Sequence, residues 1–305
     1  MKRLLDCTAS DFRKMNKEER IQSIALSEGR VIVSEMTLLN HPLSLSCASM
    51  GELYAAFGTD ILLLNMFDVF NPEINGVSVK NPNDVIRELK RLTGKLVGIN
   101  LEPVDETKPV IGKTFEVPQG RQGTKACALK AKELGVDLIV LTGNPGTGVS
   151  NDSILSSIKV LKETVGDDII LVAGKMHGAG SLNEAGENII NQETIQHFVQ
   201  AGADIILLPA PGTVPGIGFE FVKAMVHVAH TLGALTLTAI GTSQEESTTG
   251  TIERIALMCK MAGTDIHHIG DAGYASTVPE TIMTYSKVIR GKRHTYNRMA
   301  TSPMR

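Results

Sequence analysis

The sequence predicts an α/β protein: a single (β/α)8 TIM barrel with an extra N-terminal helix and a basic C-terminal tail. Three observations carry the prediction. Eight short runs recur along the 305 residues, each nearly continuous in Val, Ile and Leu, as strands buried on both faces read. Segments with helical periodicity separate them. Related phrases join helices to the strands that follow: Glu133-Leu134-Gly135-Val136-Asp137, Gln200-Ala201-Gly202-Ala203-Asp204 and Met261-Ala262-Gly263-Thr264-Asp265, with Ala56-Phe57-Gly58-Thr59-Asp60 earlier in the chain. In each, a glycine closes a helix in the left-handed conformation and an aspartate leads into a strand. An open doubly wound sheet is the alternative, but it has fewer strands and a single switch point.

In chain order, residues 1–30 form an N-terminal extension, with a helix expected over 10–27 that caps the barrel's bottom. The barrel occupies 31–290 without a linker or shift in composition. Its strands are expected at 31–36, 60–65, 96–101, 137–142, 169–174, 204–209, 235–240 and 265–270. The clearest helices fall at 82–92, 123–134, 153–164, 194–201, 218–231 and 251–261. In the first, Val85, Leu89 and Leu92 share one stripe after Asn81 as cap. Ser150 or Asn151 caps the third. Residues 291–305, opening Gly291-Lys292-Arg293-His294, form a basic tail, solvated or reaching across a neighbouring subunit.

Composition narrows the function. Apolar residues make up 42% and charged residues 21%, the balance of a soluble globular protein. The net charge of −3 gives no basic field, so nucleic acid is not an expected partner. No segment reads as a secretory signal or membrane span, so a cytoplasmic location and no membrane contact are expected. The four cysteines, Cys7, Cys47, Cys127 and Cys259, are far apart and read as reduced, small buried hydrophobes. Association through the outer helices into a homo-oligomer is expected, as for many barrels of this size.

In this fold the active site lies at the carboxyl ends of the strands. Strand one ends at Glu35, strand two at Asn65 with Asp68 beyond, and strand three at Asn100 with Glu102. Strand four supplies Thr142 and Asn144, and strand five Lys175 and His177. Strand six runs through Pro209 to Thr213. Strand seven leads to Gly241, Thr242 and Ser243, and strand eight to Gly270, Asp271 and Gly273. The aspartates at the strand starts, Asp60, Asp137, Asp204 and Asp265, belong to the opposite, stability face as turn and capping residues.

Phosphate is expected at the loops after strands seven and eight, where Gly241, Gly270 and Gly273 let an anion approach the backbone and Thr242 and Ser243 add donors. The plainer alternative is that these glycines only permit tight turns. The loop Gly143-Asn144-Pro145-Gly146-Thr147-Gly148 lacks the Gly-Lys-Ser/Thr ending of a P-loop. Its position makes Asn144 and Thr147 substrate-binding candidates, together with Asn65, Asn100 and Asp271. Lys175 is read as a Schiff-base nucleophile, as a cation binding a carboxylate or phosphate, or as the ion-pair partner of Glu35 or Glu102. His177 is a general acid or base, or a hydrogen-bonding group within its loop. Glu35 and Asp68 form a second acid/base pair, or with Glu102 hold Mg²⁺. A binuclear zinc site is disfavoured, because strand one has no His-x-His and the adjacent His267 and His268 face opposite ways, so at most one looks inward.

The strand-end motif Val172-Ala173-Gly174-Lys175-Met176-His177 resembles the Lys-x-His of the BtpA/SgcQ family, and the whole chain resembles the phosphate-binding TIM barrels. The acidic strand ends are also similar to those of the phosphoenolpyruvate mutase and isocitrate lyase superfamily, without its Lys-Lys-Cys-Gly-His loop. Flavin-dependent barrels share the phosphate corner, but aromatics to pack a flavin make up only 4% of this chain. These readings converge on an enzyme, a lyase or isomerase acting on a small anionic, phosphorylated or carboxylated metabolite. The alternatives are a non-catalytic phosphometabolite sensor or assembly factor, and a flavin-binding barrel.

Overall fold

A computed structural model describes residues 1–38, 45, 47–105, 116–179, 181–242, 244–270 and 277–305. Eight parallel strands close into a barrel in chain order: β1 (Val31–Thr37), β2 (Ile61–Asn65), β3 (Leu96–Leu101), β4 (Leu138–Leu141), β5 (Ile170–Gly174), β6 (Ile205–Pro209), β7 (Leu235–Ile240) and β8 (Ile266–Ile269). The expected barrel is therefore observed. Closure brings the first strand beside the last, with Val33 level with both Ile61 and His268.

Strand alternation divides the apolar residues into two cores. Val31, Val33, Ile61, Leu63, Val140 and Val172 are among those filling the barrel interior. Their neighbours Ile32, Leu62, Leu64 and Ile139 pack outward against the helices. A methyl group on Gly98 would lie 2.6 Å from Leu138 Cγ, so glycine there makes room for an inner-layer leucine.

The helices surrounding the strands are α3 (Met50–Ala56), α4 (Val85–Thr93), α5 (Lys125–Leu134), α6 (Asn151–Val165), α7 (Gln192–Ala201), α8 (Phe219–Thr231), α9 (Thr249–Ala262) and α10 (Pro279–Ala300). The helix over 82–92 begins as a 3₁₀ turn at Pro82–Asp84, where Asn81 accepts from the Asn83 amide. Ser150 caps α6 by accepting from the Ser153 amide. Gly135, Gly202 and Gly263 close their helices at φ +88°, +111° and +91°, the left-handed conformation read from their phrases. No helix among the described residues is long and apolar enough to cross a membrane. Cys7, Cys127 and Cys259 are buried as expected, whereas Cys47 is exposed.

The strand-start aspartates follow one rule. Asp60, Asp137, Asp204 and Asp265 accept the amides of Ile32, Val97, Leu171 and Thr236 at 2.8–2.9 Å. Each even-numbered strand is thus stitched to its odd-numbered predecessor at the barrel's bottom, and these residues are structural as expected.

Both termini pack at this end. The helix expected over 10–27 is instead split into α1 (Ala9–Phe12) and α2 (Lys17–Ala25), because Thr8 with Asp11 and Asn16 with Glu19 form two separate capping boxes. From α2, Lys17 reaches Asp204 at 2.7 Å and Arg20 reaches Asp137 at 3.2 Å, so the extension does cap the bottom. The expected tail is not solvated along its length. Helix α10 continues past a kink at Gly291, with φ +69° and ψ 168°, and returns under the barrel. Its Arg298, 1% exposed, meets Asp60 at 2.7 Å, beside Arg290 at 2.5 Å.

Candidate functional site

At the carboxyl ends of the strands lies a cavity of about 310 Å³. Alternation dictates its floor. Val31 and Val33 face the interior, so Glu35 does too, and Ile61 and Leu63 bring Asn65 inward in the same way. On β8, Ile266 faces inward and therefore so does His268. Asn65 Nδ2 donates to Glu35 Oε1 at 2.5 Å, and His268 Nε2 stands 2.9 Å from Glu35 Oε2. Glu35 is 3% exposed and lines the cavity, while His268 is fully buried behind it. Among the described residues neither ring nitrogen of His268 makes a hydrogen bond, so its approach to Glu35 is a close contact only. Glycine at position 270, two residues after His268, keeps the space above the dyad narrow but open. A Cβ there would lie 2.4 Å from the Ile240 carbonyl and 3.1 Å from Glu245 Oε1.

The walls come from the other strand ends. Asn100 is buried at the end of β3, and its Oδ1 has no hydrogen-bond partner among the described residues. Beyond it, Glu102 accepts from Arg121 Nη2 in a close ion pair. The amide of Glu102 also donates to the Arg121 carbonyl at 2.7 Å, and this backbone bridge holds Arg121 at the rim. Thr142, Asn144 and Thr147 line the next sector. Asn144 Oδ1 accepts the Gly146 amide at 2.9 Å, so its carbonyl shapes its own loop. Met66, held at φ +63°, and Met176 supply apolar surface. His177 lines the cavity as expected, and its Nδ1 accepts the Ala179 amide at 3.3 Å, which places the neutral ring's proton on Nε2.

Several expected site residues stand elsewhere. Lys175 does not line the cavity. It points out of the barrel, 1% exposed, with Nζ 2.5 Å from Glu184 Oε2, because alternation along β5 gives the inward position to Met176. Its ion pair is with neither Glu35 nor Glu102. Asp68 is also outside the lining: its Oδ1 accepts the amides of Phe70 and Asn71 at 2.8 and 3.2 Å, a loop-capping role.

Glu35, Asp68 and Glu102 are not brought together: Asn65 donates to Glu35, Arg121 pairs with Glu102, and Asp68 accepts its own loop amides. Among the described residues no group of three or more His, Cys, Asp or Glu side chains could hold a metal ion. At the corner after β7 and β8, Thr242 Oγ1 donates to the Thr213 carbonyl at 2.5 Å rather than into the cavity. The buried Glu245 brings a carboxylate to that wall beside Gly241 and Gly270. Ser243, Asp271 and Gly273 lie outside the described residues.

Several contributors escaped the sequence reading. His268 was within its reach, because alternation along strand eight requires one of the two histidines to face inward. Met176 follows from the same alternation on strand five. Arg121 and Glu245 arrive from loops, where no periodicity signals direction.

Residues 5–305 match a family model described as Domain of unknown function (DUF7916). A search of curated proteins gives no match. Among solved structures, a candidate lyase/mutase from Burkholderia cenocepacia J2315 is similar at 14% identity and TM-score 0.50, over 94% of this chain and 99% of that one. A multifunctional pyruvate carboxylase from Rhizobium etli is similar at 12% identity and TM-score 0.54, over 96% of this chain but 30% of that one. A thiamine phosphate pyrophosphorylase from Pyrococcus furiosus is 13% identical at TM-score 0.47, over 87% of this chain and 97% of that one. At such identities the likeness is one of fold.

Proposed function

Because this chain belongs to the family described as Domain of unknown function (DUF7916), which assigns no chemistry, we propose its function from the mouth itself: a lyase or isomerase that moves a proton on a small carboxylated or phosphorylated metabolite. One observation carries this reading. Glu35 is the carboxylate at the cavity floor: Asn65 Nδ2 donates to its Oε1, and the buried His268 ring stands 2.9 Å from its Oε2. A carboxylate held so rigidly is suited to general base catalysis, since each oxygen keeps a lone pair for the substrate's proton. His268 is the positioning residue packed behind it. His177, on another wall, is the general acid that returns the proton.

The substrate class follows from the remaining walls. Arg121 is the lysine- or arginine-type cation in the described lining, and its planar fork suits a carboxylate or phosphate. The buried Oδ1 of Asn100 is set to accept from a substrate hydroxyl. Thr142, Asn144 and Thr147 complete the polar sector, while Gly241 and Gly270 shape the facing wall. A cavity of about 310 Å³ suits a compact metabolite. The Lys175-x-His177 likeness to the BtpA/SgcQ family adds nothing to this reading, because Lys175 is turned away from the cavity.

The test is a thermal-shift panel of small hydroxy- and keto-acids and their phosphates, followed by proton NMR of any stabilising compound in D₂O. The expected result is exchange or conversion at one carbon by the native protein and none by Glu35→Gln. Stabilisation with no exchange or conversion by the native protein would instead establish the non-catalytic sensor. Unchanged turnover by Glu35→Gln would remove the proposed base.

A further inference from the structure

The end of the barrel opposite the mouth holds a second cavity, of about 700 Å³, between the N-terminal helices, α4 and the last residues of the chain. Among the described residues, six cationic side chains line it, Arg13, Arg20, Arg87, Lys90, Arg91 and Lys95, and no carboxylate does. Among the described residues, three carboxylates reach these cations from outside. Asp137 meets Arg20 at 3.2 Å and Lys90 at 2.7 Å, Asp84 meets Arg87 at 3.1 Å, and Glu88 meets Arg91 at 2.6 Å. Positive charge is left in surplus, and among the described residues Arg13 and Lys95 have no carboxylate within ion-pair distance.

Lys95 singles the cavity out. It is 3% exposed, and its ammonium makes no hydrogen bond or ion pair among the described residues. Asp60 acts on it at longer range but is already shared by Arg290 and Arg298. Burial, with those two arginines, pushes the lysine well below its ordinary pKa. A buried cation without a counter-ion is unfavourable, and an anion in the cavity would relieve that cost. Arg20 Nε is likewise buried without a hydrogen-bond partner among the described residues.

The remaining wall is apolar, made by Phe12, Pro303 and Met304. The end of the chain is held there because the Ser10 amide donates to the Arg305 carbonyl at 2.9 Å. Glycine at position 94 permits the close approach, since a Cβ on it would lie 3.0 Å from Pro303 Cα.

We propose that this basal cavity binds a small organic phosphate carrying at least two negative charges, with its phosphates on Lys95, Arg13 and Arg20 and its organic part against Phe12 and Pro303. A nucleoside diphosphate has that chemistry. The site is separate from the mouth and independent of the reaction there. Its occupancy ties both ends of the chain to α4.

Calorimetric titration of the full chain with ADP and with pyrophosphate tests this. One saturable site is expected, at least tenfold tighter for ADP than for pyrophosphate. Arg13→Ser and Lys95→Met should each weaken ADP binding at least tenfold. Arg13 is exposed, so its variant keeps the fold even if the Lys95 variant does not. Arg121→Lys, at the mouth, should leave ADP binding unchanged. No saturation at millimolar ADP, pyrophosphate binding as tightly as ADP, full binding by Arg13→Ser, or an equal loss in Arg121→Lys would each overturn the proposal.

Discussion

His268 Nε2 lies 2.9 Å from Glu35 Oε2, joining the last strand of the barrel to the first beneath the cavity floor. Glu35→Gln keeps the shape and the contact with Asn65 but removes the base. Turnover is expected to fall by roughly 10²–10⁴-fold, the usual contribution of general base catalysis, with the melting temperature little changed. His268→Gln should lower kcat less, with KM little changed, because the carboxylate keeps Asn65 but loses the ring packed behind it. A His268→Gln enzyme with unchanged kcat would show that the histidine only fills space.

Arg121 is expected to act through binding. In Arg121→Lys the charge remains but the planar fork is lost, so KM should rise about tenfold, equivalent to about 1.4 kcal/mol, with kcat nearly unchanged. Steady-state kinetics on the metabolite found in the thermal-shift panel would separate the two parameters. A fall in kcat alone would move Arg121 from substrate anchor to the chemical step.

Lys175 is not expected to form a covalent adduct. Its Nζ lies 2.5 Å from Glu184 and outside the cavity lining, so it does not face a carbonyl bound at the mouth. Borohydride treatment with phosphorylated keto compounds should leave the chain mass unchanged. A reduced adduct mapping to Lys175 would restore the Schiff-base reading.

His267 should make the fold acid-sensitive. It faces outward, fully buried, with Nε2 3.0 Å from the Gly29 carbonyl and Nδ1 3.3 Å from Tyr285 Oη. Burial pushes its pKa down from 6.5 to about 4. The unfolded chain therefore takes up a proton first as the pH falls. Stability should be highest above about pH 6.5 and decline toward pH 4, by about 3 kcal/mol from this group. Urea unfolding of His267→Gln across that range should show a shallower pH slope, and an unaltered slope would assign the acid sensitivity elsewhere.

Asp60 acts in a lower window. Burial raises its carboxyl pKa, but Arg290 and Arg298 outweigh burial and hold it below 3.8. Its contribution is complete above pH 3.8 and is lost as the pH falls through the lower folded value. Asp60→Asn leaves two buried guanidinium groups facing a neutral amide and should cost about 3–5 kcal/mol at neutral pH. Chemical denaturation would measure it, and a loss below about 1 kcal/mol would show that water or another group compensates.

Much of the fold is legible in the chain because its signals are local. A continuous aliphatic run needs only its own residues to read as a buried strand, and a Gly-x-Asp phrase carries both the helix stop and the aspartate that stitches the next pair. The site is legible where alternation continues to the strand end, as at Glu35, Asn65 and Asn100. Lys175 shows the cost of reading a strand end by chemistry instead of direction. It shares the outward parity of Ala173, and only the turn after β5 brings His177 back to the cavity. Asp68 similarly sits past the strand, where its own loop amides satisfy the carboxylate.

The sequence by itself determined the order of strands and helices, the polarity that gathers the strands' carboxyl ends at one end of the barrel, and the fact that at most one of His267 and His268 looks inward. The tertiary structure decided which side chains meet. Glu35 and His268 are 233 positions apart in the chain and become neighbours only when β8 closes against β1. Arg298 finds Asp60 only because α10 bends at Gly291 and returns beneath the barrel. Periodicity and capping act over one turn or one strand, whereas these contacts depend on closure of the whole sheet, which no local pattern encodes.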